Sequence, residues 1–309
     1  MKDLIYKEDD SLRTFVQEDF TYVYDKGSYA SFSWGATRDE NPRFNPIGPE
    51  VVEIRIGRGY KFDERRLKDL LVLPTEKEDD FVSVCRQAVI VADGQIEEAV
   101  RIAESLDERR VFALIKLDYA DYSTLRDAVK LKVHGVKRVL LVARWSFGLS
   151  SCVKNFIDNG VFVSLLFDYP ADVSACLDEL EKLPELLPAA FKLSSKENAA
   201  TVESFMKSHA GRPVKIVEDD LAKIGKHSIR ASFDPGLFSC VIDFEAGLVY
   251  PSSQKTAMSL ESIKTMPEYW HSKLFESYRK RALKRLDSIG KSNDIETTSR
   301  EANDKEMNQ

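Results

Sequence analysis

Seven residues spread along this chain are of types that do chemistry when brought together: Arg55, Tyr60, Asp118, Arg144, Trp145, Asp168 and Lys192. Two carboxylates, three cations and two amphipathic aromatics on one surface would hold a zwitterion or a peptide. Arginine pairs carboxylates through a planar fork, and tryptophan adds large contact area. Lys116, two residues before Asp118, adds a further cation. A lysine amine desolvated inside a protein is nucleophilic, which admits a Schiff base at Lys192. Arg55, Arg58 and Arg144 would instead suit a small anionic ligand.

Other reaction centres find no support in the spacing. The four cysteines, Cys85, Cys152, Cys176 and Cys240, form no CxxC or CxxxC, so they read as reduced, small apolar residues. His134, His209, His227 and His271 each lack a second ligand at helical or strand spacing. No Gly-x-Ser-x-Gly elbow, Walker loop or dinucleotide fingerprint occurs. Gly57-Arg58-Gly59 follows a strand pattern, but no helix with a third glycine opens behind it. The expected cofactor and metal content is therefore none.

The candidate residues sit at the ends of short apolar runs. Strands are expected at Val51–Ile56, Ala88–Ala92, Val111–Leu117, Val136–Ala143, Val161–Phe167, Ala189–Leu193 and Val214–Val217. Their β-branched content and weak alternation are those of parallel strands covered by helices. Between them Ile96, Val100, Ala103 and Leu106 recur at helical spacing, as do Val153, Phe156 and Ile157. Tandem βα units build either a barrel or an open doubly wound sheet. Regular connections and the lack of a Gly-rich phosphate loop favour the barrel. In a barrel, function lies at the carboxyl ends of the strands, where these charges fall.

The flanks read differently. Phe20–Tyr24 and Tyr29–Trp34 are aromatic strands around the turn Asp25-Lys26-Gly27-Ser28, and the proline-rich stretch from Asn41 to Pro49 is a linker. Phe238–Phe244 and Leu248–Pro251 form a second hairpin. Pro267 to Ile289 reads as a helix with a basic second half, and the polar residues from Gly290 to Gln309 as a disordered tail. The expected organisation is a hairpin extension over 1–48, a partial barrel over 49–225, a hairpin unit over 226–266, a helix over 267–290 and a tail over 291–309. The fold class is α/β, a partial (β/α)6 barrel.

With 309 residues and 43% hydrophobic content, the chain has enough apolar material for a large core. A net charge of -6 argues against a general nucleic-acid binder. No apolar run is long enough to span a bilayer, and Met1–Asp10 is too charged for a signal peptide, so a cytoplasmic location is expected.

The order of these pieces resembles the radical S-adenosylmethionine superfamily, in its SPASM or twitch layout. The resemblance rests on the aromatic hairpin, the lead-in Phe44-Asn45-Pro46-Ile47-Gly48-Pro49-Glu50 to the first strand, and Val249-Tyr250-Pro251-Ser252-Ser253 closing the late hairpin. Active members carry CxxxCxxC after the first strand to hold a [4Fe–4S] cluster. Here Gly57 to Glu64 contains no cysteine, and Ser252 stands where an auxiliary-cluster cysteine would be. Ala92-Asp93-Gly94-Gln95 keeps only Gly94 of the family's Gly-Gly-Glu. The resemblance thus implies a degenerate, non-catalytic member: a partner or substrate-binding subunit for an active radical enzyme that modifies peptides. On this expectation Tyr60, Arg144 and Trp145 line one binding surface for a protein or peptide. A cofactor-independent βα-barrel lyase or aldolase using the charged mouth is the alternative.

Overall fold

The computed structural model describes residues 5–8, 11–17, 20–25, 31–34, 49, 51–74, 81–83, 85, 87–108, 111–218, 221–222, 229–230, 239–251 and 257–276. The expected basic helix beyond residue 276 and the tail over 291–309 lie outside them.

An antiparallel sheet opens the chain: β1 (Ile5–Glu8), β2 (Leu12–Gln17), β3 (Phe20–Asp25) and β4 (Ser31–Trp34), paired in sequence order. The aromatic hairpin is β3 against β4, with Thr21 opposite Trp34. β1 and β2 extend it beyond what the sequence pattern suggested.

Strand and helix then alternate. β5 (Val51–Arg55) is followed by α1 (Glu64–Leu71) and a small ribbon, β6 (Val72–Pro74) with β7 (Phe81–Ser83). Next come β8 (Gln87–Val91), α2 (Ile96–Glu108), β9 (Phe112–Asp118), α3 (Leu125–Val133) and β10 (Arg138–Ala143). The series continues through α4 (Leu149–Asp158), β11 (Phe162–Asp168), α5 (Val173–Glu181), β12 (Ala189–Lys192), α6 (Lys196–Ser208) and β13 (Val214–Glu218). Caps are written locally: Thr124 and Asp127 form a capping box on α3, Asp172 caps α5 and Ser195 caps α6.

After β13 come the short strands β14 (Leu221–Ala222) and β15 (Ile229–Arg230); β15 joins β4 in the first sheet. The late hairpin is β16 (Ser239–Asp243) with β17 (Leu248–Pro251), extended by β18 (Met258–Ser259) and followed by α7 (Met266–Trp270). This hairpin is not set apart from the parallel strands. β16 lies parallel to β5, Ser239 opposite Val51 and Asp243 opposite Arg55. The main sheet therefore runs β14-β13-β12-β11-β10-β9-β8-β5-β16-β17-β18. Eight of its strands are parallel rather than the expected six, and β16, last of the eight in the chain, flanks the first. By their place in the chain the eight parallel strands stand in the order 7-6-5-4-3-2-1-8.

One face of the sheet takes the helices. Val52 and Ile54, Ala88 and Ile90, Ile115 and Leu117, Leu141 and Ala143, Leu165 and Phe167, Phe191, Ile216 and Ile242 share a single cluster with apolar residues of every helix from α1 to α7. Alternate strand residues point to opposite faces, so one parity meeting all helices places them together on one side. The other parity is also buried in mid-strand, at Val89, Phe112, Leu114, Leu140, Val142, Leu166 and Ala190. Burial on both faces is why the strands show little alternation. The C-terminal segment closes against α1: Arg66 donates to the Leu260 and Ile263 carbonyls, and Trp270 stacks near Phe275 with both fully buried.

Candidate functional site at the strand carboxyl ends

On the face away from the helices, several strands end in charged residues. Parity puts Glu53 and Arg55 of β5, Lys116 and Asp118 of β9, Asp168 of β11 and Lys192 of β12 there, with Arg144 just beyond β10. Parallel register aligns them, since Asp118 lies opposite Val142 and Asp168 opposite Lys192. They pair into two groups of alternating sign. Arg55 reaches Glu53 at 2.7 Å, and Lys116 Nζ lies 3.8 Å from the same carboxylate. Arg144 bridges two acids, Nη1 to Asp118 Oδ2 at 3.0 Å and Nη2 to Asp168 Oδ2 at 3.5 Å. Lys192 Nζ approaches Asp168 Oδ1 at 3.8 Å. All are part-exposed, so each pair contributes little to stability.

Arg55 also lies over the Tyr250 ring, 6.0 Å from its centroid. Burial raises the Tyr250 phenol above its ordinary range, against the opposing charge of Arg55. At the other end of the row, Arg144 is followed by Trp145, which is 45% exposed and tilted against Tyr119 at 5.9 Å. Tyr119 is buried, and its hydroxyl donates to the Phe147 carbonyl at 2.7 Å, fixing the loop that carries Arg144 and Trp145. Gly148 turns this loop into α4 at a φ of +73°, a conformation that favours glycine. Phe147 is 91% exposed, and Tyr169, with a φ of +52°, stands exposed directly after Asp168. Phe147 follows Arg144-Trp145 in the sequence and is readable there as part of the same surface; Tyr169 did not stand out, though a search of each strand's next two residues would have found it.

Tyr60 is not part of this group. It stands in the loop after β5 and packs against Phe244 at 5.0 Å, and burial pushes its phenol up. Tyr60 and Phe244 both pack against the helix-side cluster, whereas Arg144 and the exposed Trp145 follow β10 on the charged strand-end face, so Tyr60 does not join them as expected. The three arginines do not converge either: Arg55 is held by Glu53, Arg144 by two aspartates, and Arg58 lies 3.8 Å from Asp93.

The loop after β5 is tied up by its own neighbours. Gln95 bridges it, donating to the Gly57 carbonyl and accepting from the Gly59 N–H at 3.1 Å. Glu98 accepts from the Phe62 N–H at 3.2 Å. A Cβ on Gly57 would fall 2.3–2.6 Å from the Glu245 side chain, so that loop and the β16–β17 turn fit only with glycine there.

All four cysteines lie in the helix-side cluster, fully or nearly fully buried. Burial pushes the Cys152 and Cys176 thiols up to about 12 and Cys240 well above its ordinary range. Among the described residues, no group of three or more histidines, cysteines, aspartates or glutamates is placed to hold a metal ion. No helix among them is long and apolar enough to cross a membrane.

No protein-family model and no curated protein matches the chain. Among solved structures, a xylose isomerase domain protein from Planctomyces limnophilus aligns with a TM-score of 0.31 and 11% identity, over 48% of this chain and 64% of that one. This chain thus spans less than two thirds of that neighbour's length. The fold stands on its own topology: α/β, with a mostly parallel sheet of alternating strands and helices.

Proposed function

We propose that this chain is a non-catalytic, barrel-type binding subunit, similar in layout to radical S-adenosylmethionine enzymes but without their iron–sulfur chemistry, and that its strand-end face takes a peptide or protein partner. The observation that carries the reading is the division of residue types between the two faces of the sheet. The thiols all lie buried on the helix side, where burial pushes those of Cys152, Cys176 and Cys240 up. The strand-end face instead presents Arg144 between two carboxylates beside the exposed rings of Trp145, Phe147 and Tyr169. Arginine with tryptophan and tyrosine is the composition of binding hot spots. Arg144 has five N–H donors and uses two, so a partner carboxylate finds donors without breaking the existing pairs. Supporting the barrel form are the strand order and the single helix-covered face, both of which a ring of βα units requires.

The test has two arms. Anaerobic reconstitution with iron and sulfide, followed by S-adenosylmethionine and a reductant, is expected to give no cluster absorbance and no 5′-deoxyadenosine. A stoichiometric cluster overturns the reading. In the second arm the chain is co-expressed with a CxxxCxxC radical enzyme from the same host. Association that is lost in an Arg144→Ala/Trp145→Ala variant supports the surface, and equal recovery with both proteins overturns it.

A second reading rests on the approach of Lys192 to Asp168 at the ends of neighbouring strands. In a cofactor-independent lyase or aldolase this lysine would form a Schiff base with a carbonyl substrate. Borohydride trapping with a panel of small aldehydes and keto acids would label Lys192 on this reading and leave it unlabelled on the first.

A further inference from the structure

The third helix of the series is apolar on a side that the fold leaves uncovered. Its buried side chains are Ala128 and Leu131. Leu125, Val129 and Val133 are exposed by 55%, 45% and 78%. Their spacing of four residues aligns them in one stripe, about 12 Å long at the helical rise per residue. His134, at the end of the same helix, lies 3.6 Å from Glu97 of α2. At the helical turn per residue that places α2 on one flank and the stripe on the opposite flank, toward α4.

The stripe is edged with positive charge. Arg126, Lys130 and Lys132 are exposed, and no carboxylate among the described residues pairs with any of them. The helix's own acid, Asp127, is used in the capping box. In a chain of net charge -6 this is a local reversal of sign. Pairing with a second copy would set three cations against three, which disfavours a symmetric contact. A membrane is a poor match as well: three aliphatic side chains without an aromatic, on a helix half sunk in the fold, offer little to insert.

We propose that α3 is a docking stripe for an acidic amphipathic helix of another protein. Apolar residues of the partner at helical spacing would cover Leu125, Val129 and Val133, and its glutamates or aspartates would meet Arg126, Lys130 and Lys132. This inference is independent of the strand-end surface and of the radical-enzyme resemblance.

A photo-crosslinking amino acid at position 129 of the full chain, in the native host, tests it, with Asp178 on α5 as the control position. The expected adduct joins position 129 to a segment rich in Asp and Glu with apolar residues three and four apart. A synthetic peptide of that segment should bind the purified chain, and the Arg126→Glu/Lys130→Glu/Lys132→Glu variant should weaken it about tenfold at low salt. If the triple variant loses its fold by circular dichroism, Lys130→Glu alone carries the comparison. An adduct to a second copy, to lipid or to a segment without excess acid overturns the proposal. So does a yield no higher than at the control position, or an affinity that ignores the charge reversal.

Discussion

Arg144 and Asp118 join neighbouring strands at their carboxyl ends, Nη1 to Oδ2 at 3.0 Å, across a guanidinium that also reaches Asp168. The arginine is half exposed and both acids keep access to water. Its replacement by alanine is therefore expected to change stability in urea by less than about 1 kcal/mol. Partner binding should respond far more than stability. Co-purification and denaturation measured on the same Arg144→Ala preparation separate the two; a loss of several kcal/mol in urea would make the arginine structural.

The Tyr119 hydroxyl holds the loop behind that arginine through one hydrogen bond to the Phe147 carbonyl. Tyr119→Phe should cost about 1 kcal/mol, the net worth of such a bond. Gly148→Ala should cost about as much, because the residue sits in the left-handed region and the new methyl would lie 3.4 Å from the Tyr119 hydroxyl. Thermal melts of each variant check both, and proteolysis after Arg144 should quicken in both. Unchanged cleavage would show that the loop is held elsewhere.

Glu179 makes a prediction about acid. Burial pushes its carboxyl up, but the hydrogen bonds from Lys182 at 2.5 Å and from the Ser150 N–H at 2.8 Å outweigh this and hold it below the usual carboxylate range. A carboxylate lowered in the folded state stabilises fully above its unfolded value and loses that contribution as pH falls through its folded one. Glu179→Gln is expected to lower stability near neutrality and to leave it closer to wild type in acid. Urea unfolding at a series of pH values measures the difference; a gap that is constant with pH would remove the charge from the explanation.

The thiols should be silent until the chain unfolds. With all four cysteines buried, and Cys152 and Cys176 pushed up to about 12, native protein is expected to react negligibly with a disulfide reagent at neutral pH, and all four to react in denaturant. Rapid native reaction of even one thiol would contradict its placement.

Much of this was legible locally. The seven strands of the βα series fall within two residues of the apolar runs that predict them, because burial on both faces writes an unbroken β-branched stretch. The charges near their ends were legible for the same reason: Asp93, Asp118, Arg144, Asp168 and Glu218 directly follow apolar runs, and Arg55 and Lys192 are the next-to-last residues of two others. What was hidden is what depends on distant neighbours. A hairpin is visible in Phe238–Pro251, but that its first strand lies beside β5 is not, because nothing in either segment names the other. β1 and β2 mix Lys7, Glu8 and Arg13 among their apolar residues, so no clean alternation marks them as strands, although Asp9-Asp10-Ser11 between them has turn composition. Tyr60 was assigned to the mouth because loops after strands point there in a barrel; its ring instead follows Phe244. On α3 the aliphatic spacing of Leu125, Val129 and Val133 imitates a core face, while the residues that do enter the core are Ala128 and Leu131.

The place of β16 beside β5 also sets a timetable. The first strand of the sheet leaves the ribosome with one of its edges unmatched, and its partner on that side is made roughly 180 residues later. At about 5–20 residues per second that edge stays open for on the order of ten seconds or more, while β8 and the units after it assemble on the other side. An unpaired edge in that interval is an invitation to the wrong strand. A nascent chain that stalls before residue 239 would carry the βα series with one edge of its first strand still bare, and the same stretch that covers that edge brings in β17, β18 and the segment that closes on α1.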